Sequence, residues 1–100
     1  MIVCDKLDSG IATKVIEERK RQYNKWGDQR HAHKDWWWIL QEELAEAKCK
    51  IELGYGIEEV KKELIQCSAV LQAWIRNIIL NYKKGKGEEA FRGNENEKGT

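Results

Sequence analysis

Residues 36–53, WWWILQEELAEAKCKIEL, and residues 57–82, IEEVKKELIQCSAVLQAWIRNIILNY, flank Gly54-Tyr55-Gly56. In both segments apolar residues recur at steps of three and four, the spacing of one helix face. In the first segment Leu40, Leu44, Ala47 and Ile51 form the stripe, and Asp35 just ahead of it is the expected N-cap. In the second, Val60, Leu64, Cys67, Leu71, Trp74 and Ile78 form the stripe. At 1.5 Å per residue that helix would be about 37 Å long. The two glycines leave room for only a short turn, so the pair reads as an antiparallel helical hairpin.

Upstream, Ile11, Val15, Ile16, Tyr23 and Trp26 predict a first helix. Ser9 or Thr13 is its expected cap, Gly27 its expected end, and Asp8-Ser9-Gly10 part of an irregular lead-in. Residues 28–34 form a polar loop that holds both histidines. Residues 83–100, rich in Gly, Lys, Glu and Asn, read as a flexible polar tail with too little apolar surface to order. The chain has no proline, and no segment alternates as a half-buried strand would. The expectation is one all-α domain, residues 1–82, built as an antiparallel bundle of three main helices.

Composition excludes several classes. The 100 residues leave no room for a second core. With 41% hydrophobic and 35% charged residues the chain has an ordinary globular composition. A formal net charge of +1 argues against a nucleic-acid coat or a polybasic membrane anchor. No apolar run approaches the roughly 18 residues that span a bilayer, and no signal-peptide pattern is present. Cys4, Cys49 and Cys67 are odd in number and widely spaced, which fits reduced thiols in a cytoplasm better than a disulfide framework or a zinc site.

The near-neutral total conceals an asymmetry. Residues 14–34 carry seven basic and three acidic side chains, whereas residues 41–63 carry seven acidic and four basic ones. On a helical wheel Glu42, Glu43 and Glu46 fit within an arc of about 100° beside the apolar stripe. In the third helix Glu63 falls between Val60 and Cys67, and Gln66 is bracketed by Glu63, Val70 and Ala73. A charge on an apolar face is expensive unless it is paired or holds a metal. If the hairpin closes, oxygens from Glu43, Glu46, Glu63 and Gln66 converge, a hard donor set suited to Mg²⁺ or Mn²⁺. The competing reading is that these acids pair with Lys48, Lys50, Lys61 or Lys62.

Glu42-Glu43-Leu44-Ala45-Glu46 matches the first half of the pattern EExxE…ExxD, and Glu63-Leu64-Ile65-Gln66 matches the second half with Gln66 in place of the aspartate. Around them stand Glu18-Arg19, Gln22, Lys25-Trp26-Gly27-Asp28-Gln29, a Trp-rich helix start and Ile39-Leu40. Over residues 15–80 this resembles the phage and bacterial MazG-like branch of the all-α nucleoside triphosphate pyrophosphohydrolases. The resemblance implies Mg²⁺-dependent hydrolysis between the α- and β-phosphates, giving a nucleoside monophosphate and pyrophosphate. It implies that Glu43, Glu46 and Glu63 are metal ligands, that Glu42 is a further ligand or the base for the attacking water, and that Gln66 stands at the last ligand position. It also implies substrate contacts from Lys25, Trp26, Gln29 and Arg19. The departure at Gln66 opens an alternative, a non-catalytic helical dimerisation module with an impaired metal site.

Trp26 is expected to pack its loop against the core, with base stacking as its other role. His31 and His33 are expected at the edge of the site rather than on a metal. Trp36, Trp37 and Trp38 sweep about 200° of helix circumference, so one core face cannot take all three. The third helix is apolar on more than one side, carrying Ile65, Ala69, Ile79 and Leu80 besides its stripe. A chain this small is then expected to complete its core as a homodimer or a dimer of dimers.

Overall fold

A computed structural model describes residues 5–83; Cys4 and the polar stretch 84–100 lie outside the described residues. The described chain is three helices and no strand: α1 (Lys6–Trp26), α2 (His33–Glu52) and α3 (Ile57–Lys83).

α1 begins earlier than its periodicity suggests. Asp5 is the N-cap, and its carboxylate accepts a hydrogen bond from the Asp8 N–H at 2.9 Å. Ser9 and Gly10 therefore lie inside the helix, and Thr13 Oγ1 donates to the Ser9 carbonyl at 3.1 Å instead of capping. The C-terminus is where the sequence places it. Gly27 takes φ 77°, which a side chain resists, and its N–H donates to the Tyr23 carbonyl at 2.7 Å.

α2 starts at His33 after an extended Ala32, with no side-chain cap. Asp35 lies in the first turn, where its charge suits the helix dipole, and not at the cap. α2 closes with a Schellman turn. The Tyr55 N–H donates to the Lys50 carbonyl at 2.9 Å, the Gly54 N–H to Ile51 at 3.2 Å, and Gly54 has φ 79°. α3 follows at once, with Glu58 and Glu59 in its first turn.

The reversal makes α2 antiparallel to α3. α1 also lies on α3, but in the parallel sense: Glu18 faces Lys62 near the start of α3, and the loop after α1 reaches Asn77 near its end. Among the described residues α1 and α2 do not pack against each other, so α3 is the shared element.

The core is small: Trp36, Leu40, Cys67 and Val70, with Ile39, Ala73 and Trp74 packed against them. The Trp36 and Trp74 rings lie 12° from parallel with centroids 6.5 Å apart. Trp36 is 1% exposed, and truncation of so large a buried ring costs about 3–5 kcal/mol.

The buried faces are rotated from the expected stripes. On α2 the inward line is Trp36, Leu40, Glu43, Ala47 and Lys50, while Leu44 and Ile51 are exposed. On α3 the inward line is Glu63, Cys67, Val70, Trp74 and Asn77, while Leu64, Leu71 and Ile78 are exposed. Apolar residues alone suggested a different centre, and the rotation places Glu43 and Glu63 in the seam between the helices. Trp37 and Trp38 are 52% and 63% exposed, so only one of the three consecutive tryptophans enters the core. α1 buries no residue at all.

Candidate metal centre and adjoining cleft

The acidic site sits where α2 and α3 face one another near the Schellman turn. Glu43 and Glu46 occupy one face of α2 a helical step apart, and Glu63 projects from α3. One carboxylate oxygen from each lies within 4.8 Å of the others. Glu63 is buried, Glu43 is half-buried and Glu46 is exposed, so the cluster runs from the seam to the surface. The carboxamide of Gln66 touches the same group. With its nitrogen turned inward it donates to Glu43 Oε1 at 3.1 Å and Glu63 Oε1 at 3.2 Å. Turned the other way, the amide oxygen would face the same two carboxylates. Glu42 is exposed and stays outside the converging set.

The cluster gathers three carboxylates and only part of their charge is compensated. Burial, followed by the charges of Glu46 and Glu63, pushes the Glu43 carboxyl above its ordinary range. One cation is already present: Lys50 Nζ donates to Glu63 Oε2 at 2.8 Å and to Glu59 Oε1 at 3.2 Å. These bonds raise the Lys50 ammonium above its usual range and lower Glu59. Lysine pairing, the competing reading of these acids, is thus realised for Glu63 and for Glu58, which meets Lys61 at 3.0 Å. Among the described residues it leaves Glu43 and Glu46 without a lysine partner, while the Arg21 charge acts on Glu43 from α1. Three carboxylates within 4.8 Å of one another, with an amide in reach of two of them, are a donor set of the right hardness for a divalent cation.

Arg21 donates to both oxygens of Glu18, at 2.9 and 2.7 Å, and holds that carboxyl below its ordinary range. Gln22 donates to Glu18 as well, at 3.1 Å. Glu18 in turn adds to the field on Glu43, which places this part of α1 beside the acidic cluster.

A separate cleft of about 880 Å³ lies between α1 and the C-terminal half of α3, with none of the acidic residues in its walls. Arg19, Lys20, Tyr23, Gln29, Arg76 and Asn77 are among its walls. Two of the four expected substrate contacts, Arg19 and Gln29, therefore meet in this cleft. Lys25 and Trp26 do not line it: the Lys25 ammonium lies 4.7 Å from the centroid of the Trp26 ring, which is exposed rather than packed on the core.

The histidines are drawn into the tryptophan network and not to the edge of the acidic site. Trp74 Nε1 donates to His33 Nδ1 at 2.9 Å, and the His31 ring meets Trp36 edge-on with centroids 4.7 Å apart. Asn77, which no periodicity singles out, is the hub. Its Oδ1 accepts from Trp36 Nε1 at 2.8 Å and from the His31 N–H at 2.9 Å. Only its place on the same helix face as Gln66, three turns on, hinted at its importance.

No family model matches the chain, and comparison with curated proteins and with solved structures likewise gives no match.

Proposed function

We propose that this protein is a Mg²⁺-dependent nucleoside triphosphate pyrophosphohydrolase, with Mn²⁺ an alternative metal, acting on the α–β phosphoanhydride of an NTP or dNTP. What supports the reading is the convergence of Glu43, Glu46 and Glu63 within 4.8 Å, with Gln66 in reach of two of them. These four residues would hold the cation. A bound divalent ion would supply charge neutralisation on the triphosphate and a more acidic water. The chain's own groups do the rest. Buried Glu63 is anchored by Lys50, which orients its second oxygen toward Glu43 and Gln66. Glu42, exposed beside the set, would be the base that accepts a proton from the attacking water. Arg19, in the wall of the cleft, would offer charge to the phosphates. Gln66 is a neutral donor to the carboxylates in one orientation and an oxygen ligand in the other, which eases the repulsion among the acids when no cation is bound.

Self-association is part of the reading. Trp37, Leu44 and Ile51 on α2, and Leu64, Leu71 and Ile78 on α3, are exposed at seven-residue spacing, a pattern that a second helical chain would cover. A homodimer or a dimer of dimers follows. The alternative, a non-catalytic dimerisation module, draws on Lys50, which already supplies one positive charge to the cluster.

The test is pyrophosphate release from a panel of natural and damaged nucleotides with Mg²⁺ or Mn²⁺. Release that is lost in Glu43→Gln and Glu46→Gln, both retaining helical circular dichroism, is the expected result. No release from any nucleotide, together with no divalent-specific thermal shift, would favour the dimerisation module. Full activity in both variants would remove these residues from the site. Gln66→Asp should tighten Mg²⁺ binding, and weaker binding would remove Gln66 from the ligand set.

A further inference from the structure

Asn77 is 2% exposed, yet its Nδ2 has no hydrogen-bond partner among the described residues. The orientation of the amide is not free. Oδ1 holds two donors, the Trp36 indole and the His31 N–H, and a flip would forfeit both bonds. The NH₂ is therefore a buried donor pair held in one orientation, on a residue that helps to wall the α1–α3 cleft. A buried donor left empty costs as much as a hydrogen bond is worth, so a folded chain that keeps one suits a ligand that supplies the acceptor.

The surroundings define that ligand. Tyr23 and apolar residues of α3 such as Ile75 and Ile79 give the cleft flat, greasy walls. Arg19, Lys20 and Arg76 stand around it, and among the described residues none of them forms an ion pair. Such a cleft fits a molecule that carries a planar body, a hydrogen-bond acceptor and negative charge. Asn77 lies eleven residues beyond Gln66, on the same face of α3 and about 16 Å along it. A nucleotide that contacts Asn77 with its base and the acidic cluster with its phosphates would have to extend over that distance, past the end of the cleft at Gln72.

We propose that the cleft is the base pocket of the nucleotide site and that Asn77 selects a base presenting a carbonyl edge, namely guanine, uracil or thymine, over the amino edges of adenine and cytosine. The choice of a nucleotide as ligand rests on the hydrolase reading; the choice of base rests on Asn77. A donor facing a carbonyl makes a bond, whereas a donor facing an amino group leaves two donors opposed in a dry pocket. Asn77→Asp keeps the acceptor that Trp36 and His31 need and removes the donor.

The experiment measures binding of GMP, UMP, AMP and CMP to the full chain in EDTA by calorimetry, and pyrophosphate release from the matching triphosphates with Mg²⁺. The expected result is a preference of about tenfold or more for GMP and UMP, the worth of one buried hydrogen bond. It should be lost or reversed in Asn77→Asp. Tyr23→Ala should weaken all four without altering their order, and Arg76→Gln should do the same. Equal binding of the four by the wild type overturns the proposal, as does an unchanged preference in a folded Asn77→Asp. If Asn77→Asp does not fold, unchanged affinity in both Tyr23→Ala and Arg76→Gln overturns it. Selective binding without pyrophosphate release supports the pocket and counts against the hydrolase. Release with no base preference does the reverse.

Discussion

Lys50 Nζ lies 2.8 Å from Glu63 Oε2, one turn before the reversal that joins α2 to α3. The bond ties the two helices together at the point where the acidic cluster would push them apart. It also sets a cation against the most buried member of that cluster, so that it stabilises the hairpin and competes with any metal ion.

Lys50→Met should therefore have two opposite effects. Without divalent ions the variant should melt below the wild type, because Glu63 then stays buried with no cation. The rise in melting temperature on adding Mg²⁺ should be larger than in the wild type. Differential scanning fluorimetry with and without Mg²⁺ reads both, and an equal Mg²⁺ response in the two proteins would show that Lys50 does not compete.

Glu18 carries a pH dependence whose sign can be worked out. Its hydrogen bonds from Arg21 hold the carboxyl below its ordinary value of 4.5. A depressed acid stabilises the fold above the unfolded value and loses that contribution as the pH falls through the folded one. Wild type should exceed Glu18→Gln in urea stability at pH 7. The gap, well under the value of a buried pair since Arg21 is half exposed, should close progressively below about pH 4.5. A gap that is constant from pH 7 to pH 3 would mean that the bond contributes nothing.

Cys67 and Cys49 should differ sharply toward thiol reagents. Burial, then the charges of Glu43 and Glu63, push the Cys67 thiol up to about 11, while Cys49 is exposed. At pH 8 iodoacetamide should label Cys49 in the native protein and spare Cys67 until denaturant is added. Peptide mapping by mass spectrometry decides it, and early labelling of Cys67 would contradict the packing of α2 on α3.

The exposed apolar line of α3 should matter for assembly. Leu71→Arg places a charge between Leu64 and Ile78 on the outer face, outside both the Trp36 core and the α1–α3 cleft. If a second copy covers this face, analytical ultracentrifugation should show the variant as a smaller species than the wild type, with a melting temperature no longer dependent on concentration. A monomeric wild type, or an unchanged variant, would place the interface elsewhere or remove it.

The helices themselves were legible from local signals. Gly27 and Gly54 stand where α1 and α2 end, each at positive φ, and the boundaries of α3 were read almost to the residue. The spacing of Glu43 and Glu46 on α2, and of Glu63 and Gln66 on α3, was enough to anticipate which side chains meet across the hairpin. Helix starts were less legible. Asp5 outcompetes Ser9 and Thr13 as a cap, and α2 begins without a side-chain cap, since tertiary contacts of His33 and Trp36 hold its first turn.

The rotation of each helix was not legible, because hydrophobicity says only that a face is apolar, and both α2 and α3 have more than one such face. Packing chose the faces that carry Trp36 and Trp74, whose stacked rings fill the seam, and so sent Leu44, Leu64 and Leu71 outward. Local spacing thus determined the three helices, their turns and the placing of Glu43 with Glu46 on one helix face, since each depends on contacts within a few positions in the chain. The tertiary structure alone decided which faces are buried, that Lys50 shares Glu63 with the cluster, and that Asn77, 46 residues from His31 and 41 from Trp36, becomes the buried hub beside the cleft. Hydrogen bonds over such separations leave no periodic trace in a sequence, because the partners meet only after the chain has reversed at Gly54.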